Sequence, residues 1–487
     1  MKKIHFNKER LRDKIYGAWI GKNIGGTIGA PYEGTTQYLD LKGFSTKVGE
    51  IIPNDDLDLQ LMWLYAIEKE GPFNFDEKVL AQYWAIGIDP IWNEYGRCKA
   101  NLADGLMPPL SGAINNDWWK TSNGAWIRSE IWATLTPGLP SYARRYAFYD
   151  ACVDHGISEG TYAEIFTATI ESLAFIKSDI RCIIEEGAKQ LPKTSRTYKA
   201  VKLVLDEFDK GTDIRTLRDM LVKQSEDIGW FQAPANIGFV VLGLLYGQGD
   251  FKKSVLYAVN CGDDTDCTAA TVGAFLGILN GYKNIPQDWV NFVGDRIEQD
   301  CINRRFKAKV PKSCTELTDR ILNLLPIVLY ANEYELCWGE DDIIPTDFTQ
   351  YYNPHELFVD ELETRSEYGF SIPNVPYATG YAEYDKAPIL KEGDSITLRL
   401  KLTCNAITTF NFNVNAIVPD GWKLDYNKSF NMALEEHWTT LDKFKGPAVW
   451  EATLTVGEKI DATNHVYVVL TSALNPQPLI VDFIIKG

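Results

Sequence analysis

The stretch CGDDTDCTAATVGAFLGILNG, residues 261–281, places three aspartates directly before a segment of small and apolar residues. Asp263, Asp264 and Asp266 can begin a helix, because carboxylates near a helix N-terminus bind its free N–H groups and are stabilised by the helix dipole. They can also hold a hard cation such as Mg²⁺ or Mn²⁺, which prefers closely spaced carboxylate oxygens. The stretch therefore predicts a helix and leaves two roles open for its acidic residues.

The small residues after the aspartates match a second small face near the start of the chain. In YGAWIGKNIGGTIGAPYEG, residues 16–34, glycines spaced four residues apart lie on one side of a helix. Each costs about 1 kcal/mol relative to alanine inside a helix, so a neighbouring group must approach the backbone closely. We expect the two glycine-rich helices to pack together; a ligand near Gly29 to Glu33 is the alternative. The first face comprises Gly17, Gly21, Gly25 and Gly29, and the second Ala269, Ala270, Gly273, Ala274 and Gly277.

A second acidic cluster lies much earlier in the chain, in PNDDLDLQ at residues 53–60, and it also precedes an apolar segment. One Asp or Asn is enough to cap a helix. The adjacent carboxylates of Asp55 and Asp56 exceed that need and repel each other. A divalent cation held between the two clusters would remove this repulsion. Solvated helix caps are the alternative interpretation.

The bulk composition limits the class of partner. The chain has 487 residues, which is too long for one ordinary domain and predicts two or three. Its formal net charge is −17, which argues against nucleic acid as the main partner because phosphate binding needs a basic surface. We therefore expect cations and small molecules, or modified proteins that carry such a small group, as partners.

The sequence also predicts where the protein works. The N-terminus has no apolar run behind its lysines, as a secretory signal would, and no stretch is long and apolar enough to span a membrane. The nine cysteines are scattered, with no Cys-x-x-Cys pair. Reduced cysteines are the expectation, and with them a cytoplasmic location.

The hydrophobic pattern changes along the chain and predicts two domains. Up to about residue 335, apolar residues recur at helical spacing, as in residues 163–176 and 237–246. From about residue 365, short runs alternate apolar and polar residues, as in DSITLRLKLT and HVYVVLTS, which is typical of a β-sandwich. We predict an all-α catalytic domain over residues 1–340 and an all-β, immunoglobulin-like accessory domain over residues 360–487.

Five motifs in order resemble the ADP-ribosylglycohydrolase family over about residues 8–330. They are the glycine-rich GxxxG…GAPYEG segment, NDDLDLQL, NGAWIR, DHGISEG and CGDDTDCTAATVGAFLGILNG. The resemblance implies a compact all-α bundle with two Mg²⁺ or Mn²⁺ ions in a central cleft. It also implies a hydrolase that cleaves the N- or O-glycosidic bond at the ribose C1″ of an ADP-ribosyl compound.

The resemblance implies a set of metal ligands and two candidates for the general base. By position, Asn54 and Cys267 stand where the family has threonine or serine ligands. An amide oxygen still suits a hard cation, whereas a thiolate is a poor ligand for Mg²⁺. Glu33 and Asp56 are the candidate catalytic residues, which would take a proton from a water molecule. The implied metal ligands are Asn54, Asp55, Asp56, Asp264, Asp266 and Cys267.

Further residues are predicted to contact the substrate. Trp118 and Trp119 follow a polar run in what looks like a loop, where they can stack on a base or a sugar ring. Ordinary core packing is the alternative interpretation for these tryptophans. For His155, the alternative to a role at the substrate is a structural role. By resemblance, the residues that line or shape the cleft are Asn123, Gly124, Trp126, Arg128 and His155.

Two other functions stay open. The tryptophans, the two replaced ligands and the β-rich tail favour a glycoside hydrolase for another sugar, such as a furanoside or an oligosaccharide. The replaced ligands also suit a non-catalytic protein that binds ADP-ribose or a nucleotide. The retention of four aspartates and Glu33 argues against this last function.

Overall fold

The structure is a computed structural model, and it describes residues 1–53, 55–343, 362, 365–372, 378–404, 410–432, 448–472 and 475–487. The chain forms two compact units. The first comprises Met1–Lys99 and Asn115–Glu363, and the second Ala100–Ile114 and Thr364–Gly487. The boundary predicted between residues 340 and 360 falls mostly outside the described residues.

Helices dominate the described part of the first unit, and one short helix, Leu110–Ala113, lies in the second unit. Three short 3₁₀ helices, Ala30–Tyr32, Trp126–Arg128 and Tyr282–Asn284, complete the helical segments of the described residues. The α-helices are α1 (Lys8–Gly29), α2 (Asp55–Glu70), α3 (Glu77–Gly87), α4 (Asn93–Ala103), α5 (Leu110–Ala113), α6 (Glu130–Leu135), α7 (Pro140–His155), α8 (Glu159–Ala174), α9 (Ile180–Ala188), α10 (Arg196–Lys210), α11 (Ile214–Gln224), α12 (Ala233–Gly247), α13 (Phe251–Val259), α14 (Thr265–Asn280), α15 (Gln287–Val293) and α16 (Cys314–Ala331).

The strands lie at the ends of the first unit and throughout the second. They are β1 (Lys2–Phe6), β2 (Tyr334–Trp338), β3 (Gly369–Ile372), β4 (Ala378–Tyr384), β5 (Ser395–Cys404), β6 (Phe410–Ile417), β7 (Lys423–Tyr426), β8 (Ser429–Met432), β9 (Ala448–Thr455), β10 (Thr463–Ser472) and β11 (Asn475–Lys486).

Helices α1 and α14 cross with their backbones in contact, as their small faces predict. A Cβ atom on Gly21 would lie 2.0 Å from the carbonyl oxygen of Gly273, and one on Gly25 would lie 2.1 Å from that of Ala269. Gly17 meets Gly277 in the same way. Since the partner's number falls as the number in α1 rises, the helices run antiparallel. The C-terminal end of α1 therefore meets the N-terminal end of α14.

The second unit is a sandwich of two antiparallel sheets. One sheet has the order β3-β4-β5-β9-β7 and the other β11-β10-β6-β8. Alternate residues of several strands point to a shared core, which joins Leu398 and Leu400 of β5 to Val466 and Val468 of β10. The predicted fold class, a helical domain followed by an all-β domain, is confirmed.

Two features of the fold carry no signal in the hydrophobic pattern. β1 pairs with β2 as a parallel two-stranded sheet, so the helical unit begins and ends in strands where helices alone were expected. The segment Ala100–Ile114 belongs to the second unit, where Leu106, Leu110 and Ile114 join the core of the sandwich.

None of the described helices combines the length and the apolar character needed to cross a membrane.

Candidate metal centre

The crossing of α1 and α14 brings Glu33 next to the aspartates that begin α14. The hydroxyl of Thr265 donates a hydrogen bond to the carbonyl of Gly29 over 2.8 Å. Just beyond α1, the N–H of Gly34 donates to the carbonyl of Asp263 over 2.9 Å, and the N–H of Asp263 donates to the carbonyl of Thr35 over 2.8 Å. These bonds hold the loop that carries Glu33 against the loop that precedes α14.

The loop before α14 uses two residues in the left-handed conformation. Gly262 has φ +81°, and a Cβ atom there would lie 2.5 Å from the carbonyl oxygen of Thr35, so glycine is required. Asp263 has φ +59°. Its carboxylate lies 3.8 Å from the guanidinium of Arg218. Asp263, which is not among the metal ligands that the resemblance implies, therefore has an arginine as its charge partner.

Two groups of donors lie close enough together to bind cations, and they share Asp266. One group is Glu33, Asp264 and Asp266, and the other is Asp56, Asp266 and Cys267. Within each group the ligand atoms lie within 4.8 Å of one another. We call Asp55 and these five residues together the acidic site. The predicted clusters of α2 and α14 thus meet in space, although Asn54 lies outside the described residues.

The aspartates of α2 face different partners. The thiol of Cys267 lies 3.4 Å from Oδ1 of Asp56 and donates to it. Oδ2 of Asp55 accepts a hydrogen bond from the hydroxyl of Tyr95 over 3.0 Å. Asp58 points elsewhere and accepts the backbone N–H groups of Asp300 and Cys301 over 2.5 and 2.9 Å. Asp58 therefore anchors a loop, and Asp55 and Asp56 remain at the acidic site.

The carboxylates of the acidic site hold protons more tightly than ordinary carboxylates do. Burial raises the pKa of Asp264 well above its usual range, and the nearby charges of Asp266, Glu33 and Asp56 raise it further. Burial likewise raises the pKa values of Asp56 and Asp266. Glu33 reaches solvent, yet exclusion of water by the surrounding protein, with Asp266 and Asp55 nearby, raises its pKa to about 7.

The donor set fits divalent cations. Oδ1 of Asp264 is buried and has no hydrogen-bond partner among the described residues. This oxygen is therefore available to bind a metal ion. The other donors are mainly carboxylate oxygens, which hard cations such as Mg²⁺ and Mn²⁺ prefer. A cation would also remove the repulsion between these carboxylates.

A loop on the other side of the site orients Asp264 through Asn123. The side-chain amide of Asn123 donates to Oδ2 of Asp264 over 2.8 Å. The indole N–H of Trp126 in turn donates to the amide oxygen of Asn123 over 3.0 Å. Gly124 packs so closely on Glu94 and Tyr95 that a Cβ atom would lie 2.1 Å from the Glu94 carboxylate. Trp126 is fully buried, and its hydrogen bond to Asn123 links it to the acidic site.

Arg128 is also fully buried, beneath the same loop. Its guanidinium donates to Asp150 over 2.8 Å and to Asp154 over 2.6 and 3.1 Å. It also donates to the carbonyl of Gly124. Its hydrogen-bonding groups therefore hold the loop to α7, and they are engaged by the protein itself.

His155 lies at the end of α7 and is fully buried. Its Nε2 is 2.9 Å from the hydroxyl of Ser122, and its Nδ1 is 3.0 Å from a carboxylate oxygen of Asp154. A Cβ atom on Gly160 would lie 2.2 Å from the imidazole ring. His155 thus shares Asp154 with Arg128 and supports the same loop from below.

The predicted tryptophan pair belongs to a larger aromatic wall. Trp118 is 60% exposed, and its ring centroid lies 6.4 Å from that of Trp119. Trp119 contacts Phe231 at 6.0 Å, and Phe231 contacts Trp230 at 5.3 Å. The Trp230 ring lies beside Gly34, since a Cβ atom there would be 3.7 Å from it. We call Trp118, Trp119, Trp230 and Phe231 the aromatic wall; its last two members were not predicted.

Asn236 ties the aromatic wall to the acidic site, and it was also missed. Its amide oxygen accepts the backbone N–H of Asp264 over 3.2 Å, and its amide group donates to the carbonyl of Trp230 over 2.8 Å. The sequence signal available was weak: Trp230 and Phe231 follow a glycine and precede a helix that begins with Ala-Pro.

A buried ion pair supports α2 and was not predicted. Lys22, which interrupts the glycine-rich helix α1, is 2.7 Å from Glu130 and donates to the carbonyl of Ile127 over 2.6 Å. The amide of Gln60 donates to Glu130 and to the carbonyl of Asp56, both over 2.8 Å. The signal was the charge of Lys22 within residues 15–29 of α1, which carry no other charged side chain.

Comparison with known proteins shows which family the chain belongs to. Residues 7–320 match the family model described as ADP-ribosylglycohydrolase. The chain belongs to the ADP-ribosylglycohydrolase family. Membership confirms the resemblance, the helical fold of the first unit and the assignment as a hydrolase of ADP-ribosyl glycosidic bonds.

Two curated relatives of this ADP-ribosylglycohydrolase match different lengths of the chain. ADP-ribosylhydrolase ARH3 of Danio rerio is 23% identical over 340 residues, which cover 61% of this chain and 90% of the relative. ADP-ribosylarginine hydrolase Tri1 of Serratia proteamaculans (strain 568) is 43% identical over 47 residues. That match covers 10% of this chain and 13% of the length of Tri1.

One solved structure matches less than a quarter of the ADP-ribosylglycohydrolase chain. It is the crystal structure of a FixG-related protein from Vibrio parahaemolyticus, at 12% identity and a TM-score of 0.18. The match covers 23% of this chain and 98% of that chain.

Proposed function

We propose that this ADP-ribosylglycohydrolase cleaves its ADP-ribosyl substrate with the help of two divalent cations, Mg²⁺ with Mn²⁺ as a substitute. The observation that carries the proposal is the position of Asp266, which belongs to both donor groups of the acidic site. A carboxylate between two donor groups is typical of a two-metal centre. Asp55, Asp56 and Asp264 would complete the carboxylate ligands, and Asn54 remains a predicted ligand.

The reaction adds water at the ribose C1″ and breaks the bond to the leaving group, which takes a proton. Bound divalent cations supply a Lewis acid that orients the ribose hydroxyls and lowers the pKa of a bound water. Glu33 is the favoured general base, because it reaches solvent and lies within the acidic site. Asp56 is the second candidate, but it is buried and accepts a hydrogen bond from Cys267.

The loop at residues 122–128 would fix the geometry of Asp264. Asn123 contacts Asp264 directly, and Trp126 orients Asn123. Arg128 and His155 would act as positioning residues, because their polar atoms contact Asp154 and the loop. Their contribution to substrate binding would then be indirect.

The aromatic wall would bind the part of the substrate beyond the ribose. Trp230 lies beside Gly34, one residue from Glu33, so the wall starts next to the acidic site. The exposed ring of Trp118 can stack on a flat base. It can also stack on the apolar face of a sugar, which supports a second candidate function, hydrolysis of another glycoside.

The cellular setting is also proposed. Eight cysteines in the described part of the chain are present as thiols, which supports a reducing, cytoplasmic location. The net charge of −17 supports small-molecule or ADP-ribosylated partners over nucleic acid.

The test is turnover of the purified protein on two substrate panels with Mg²⁺, Mn²⁺ or EDTA. One panel contains ADP-ribosyl-arginine, ADP-ribosyl-serine and O-acetyl-ADP-ribose, and the other contains nitrophenyl glycosides. We expect cation-dependent release of ADP-ribose, which Asp264→Asn abolishes. The matched control is Asp288→Asn, because Asp288 is an exposed partner of Lys252.

Each other outcome contradicts part of the proposal. Activity on the glycoside panel alone would support the second candidate function. Binding of ADP-ribose without turnover on either panel would support a non-catalytic protein. Full activity in EDTA, or in Asp264→Asn, would refute the two-metal centre.

A further inference from the structure

The two donor groups of the acidic site differ in their chemistry. Glu33, Asp264 and Asp266 offer oxygen atoms alone, whereas the second group pairs Asp56 and Asp266 with the sulfur of Cys267. Mg²⁺ strongly prefers oxygen, and thiolates prefer softer ions. A cation type that suits one of the two groups is therefore a poor match for the other.

The position of the sulfur is held by the fold. Cys267 lies in the first turn of α14, two residues before Ala269, whose backbone contacts Gly25 of α1. It is 6% exposed, and its sulfur lies 3.4 Å from Oδ1 of Asp56. Because α1 and α14 touch along their backbones, neither helix can turn to move this sulfur away.

No neighbouring hydroxyl takes the place of the sulfur. Thr268, the next residue, is fully buried, and its hydroxyl donates to the carbonyl of Thr265 over 3.2 Å. The hydroxyl of Thr265 itself donates to the carbonyl of Gly29. The second donor group therefore has a sulfur atom where a hard site would have a third oxygen.

We infer that the Asp56–Asp266–Cys267 group binds a borderline divalent cation such as Zn²⁺ or Co²⁺ through the Cys267 sulfur, while Asp264 and Asp266 hold Mg²⁺ or Mn²⁺ beside Glu33. The thiol proton passes to solvent as the sulfur–metal bond forms, and no group is oxidised or reduced. The inference rests on the two-metal centre of the proposed function and makes that centre a mixed one.

The test uses full-length protein stripped of metal with a chelator and titrated with Co²⁺ alone. A cobalt ion bound to a thiolate produces a sulfur-to-metal charge-transfer band in the near ultraviolet. We expect this band in the unchanged protein, and we expect it to persist in excess Mg²⁺. It should be absent from Cys267→Ser and from Cys267→Thr.

The matched control is Cys261→Ser. Cys261 is buried in the loop that precedes α14, but its thiol donates to the carbonyl of Tyr257 over 3.3 Å and belongs to neither donor group. This variant should keep the band. Cys267→Ser and Cys267→Thr, by contrast, remove a metal ligand. Each should weaken Zn²⁺ or Co²⁺ binding at least as much as a change in a residue that supports a ligand, which costs roughly 10- to 100-fold.

A second measurement covers the case in which the Cys267 variants fail to fold. Cd²⁺ added to the unchanged protein should give a cadmium–thiolate absorption band, and Mg²⁺ should not displace it. No band with Co²⁺ or Cd²⁺, or an unchanged band in Cys267→Ser, would overturn the inference. Cys267 would then serve only as a hydrogen-bond donor to Asp56.

The outcomes separate this inference from the proposed function. Turnover with Mg²⁺ alone, at equal rates in the unchanged protein and Cys267→Ser and without a charge-transfer band, would refute the mixed centre and leave the hydrolase intact. A charge-transfer band without turnover on any ADP-ribosyl substrate would refute the proposed substrate and leave the thiolate site intact.

Discussion

Gly29 of α1 and Thr265 of α14 meet backbone to backbone at the edge of the acidic site. A Cβ atom on Gly29 would lie 2.3 Å from the carbonyl oxygen of Thr265, and the Thr265 hydroxyl donates to the Gly29 carbonyl. This contact continues a series that runs from Gly17 to Gly29. The same glycines that let the helices touch therefore deliver Glu33 to the aspartates of α14.

The helix crossing can be tested by adding one methyl group. Gly25→Ala would place a Cβ atom 2.1 Å from the carbonyl oxygen of Ala269, so the helices must separate. We expect the free energy of unfolding to fall by about 1–3 kcal/mol or more, as in overpacked cores. Urea denaturation measures the change. Gly43→Ala, where no atom lies within 4 Å of the added methyl, is the control and should have little effect.

The bond between Trp126 and Asn123 predicts an effect on catalysis. Trp126→Phe removes the indole N–H that orients Asn123 toward Asp264. We expect kcat/KM to fall by about tenfold, the equivalent of about 1.4 kcal/mol. The control is Trp63→Phe, because the Trp63 indole N–H is buried with no hydrogen-bond partner among the described residues. Equal losses in both variants would show that packing alone matters.

The aromatic wall predicts an effect on substrate affinity. Trp118 is 60% exposed, so Trp118→Ala should leave the fold intact and remove a stacking surface. Loss of a base–aromatic stack costs about 1–3 kcal/mol, so KM for an ADP-ribosyl substrate should rise by about 5- to 150-fold. Phe73→Ala, at a residue 59% exposed that contacts Tyr330, is the control. An unchanged KM would remove Trp118 from the site.

Buried Glu94 predicts a pH dependence of stability. Burial raises the pKa of Glu94 to about 8 from its usual 4.5, and Oε2 has no hydrogen-bond partner among the described residues. Between these values the folded state binds more protons than the unfolded state, so stability falls as pH rises from 4.5 to about 8. Within this range the free energy of unfolding should fall by about 1.4 kcal/mol at most for each step of one in pH.

Glu94→Gln should remove this decline, because the amide stays neutral at every pH in the range. Thermal unfolding of both proteins at several pH values measures the difference, which should be largest above pH 8 and vanish below pH 4.5. Glu226→Gln changes an exposed carboxylate and serves as the control. Parallel melting curves for Glu94→Gln and the unchanged protein would contradict the prediction.

Removal of metal should destabilise the protein at the acidic site. Cations that bind only the folded state add about 2.7 kcal/mol of stability at one hundred times their Kd. We therefore expect Mg²⁺ to raise the Tm of chelator-treated protein. Asp264→Asn should abolish this response, and Asp288→Asn should retain it. If the Tm of the unchanged protein were the same with and without Mg²⁺, the result would count against a cation at this site.

The sequence predicted the crossing of α1 and α14 because the relevant signal is local. Four-residue glycine spacing marks a helix face with no side chains, and only another backbone can fill the space. The acidic clusters were predictable for a similar reason. Adjacent carboxylates at the start of a helix exceed what capping needs, which favoured a cation between the two clusters over solvated caps once the family resemblance was included.

Contacts between single residues far apart in the chain were not predictable. Lys22 pairs with Glu130, and Trp230 lies beside Gly34. The residue spacing around Lys22 or Trp230 does not indicate which residue will be its partner. The segment Ala100–Ile114 reads as part of the helical domain and belongs to the second unit. Such pairings depend on how whole helices pack, and no local pattern encodes them.

The sequence by itself determined the family and the glycine-rich helices, because these follow from motifs, residue type and spacing, and the resemblance to the family implied the donors of the acidic site. Only the tertiary structure decided which polar groups face that site. Arg128 turns inward because a buried guanidinium needs charged partners, and α7 provides Asp150 and Asp154 there. Asn123, by contrast, extends to Asp264, since Trp126 occupies its other polar atom.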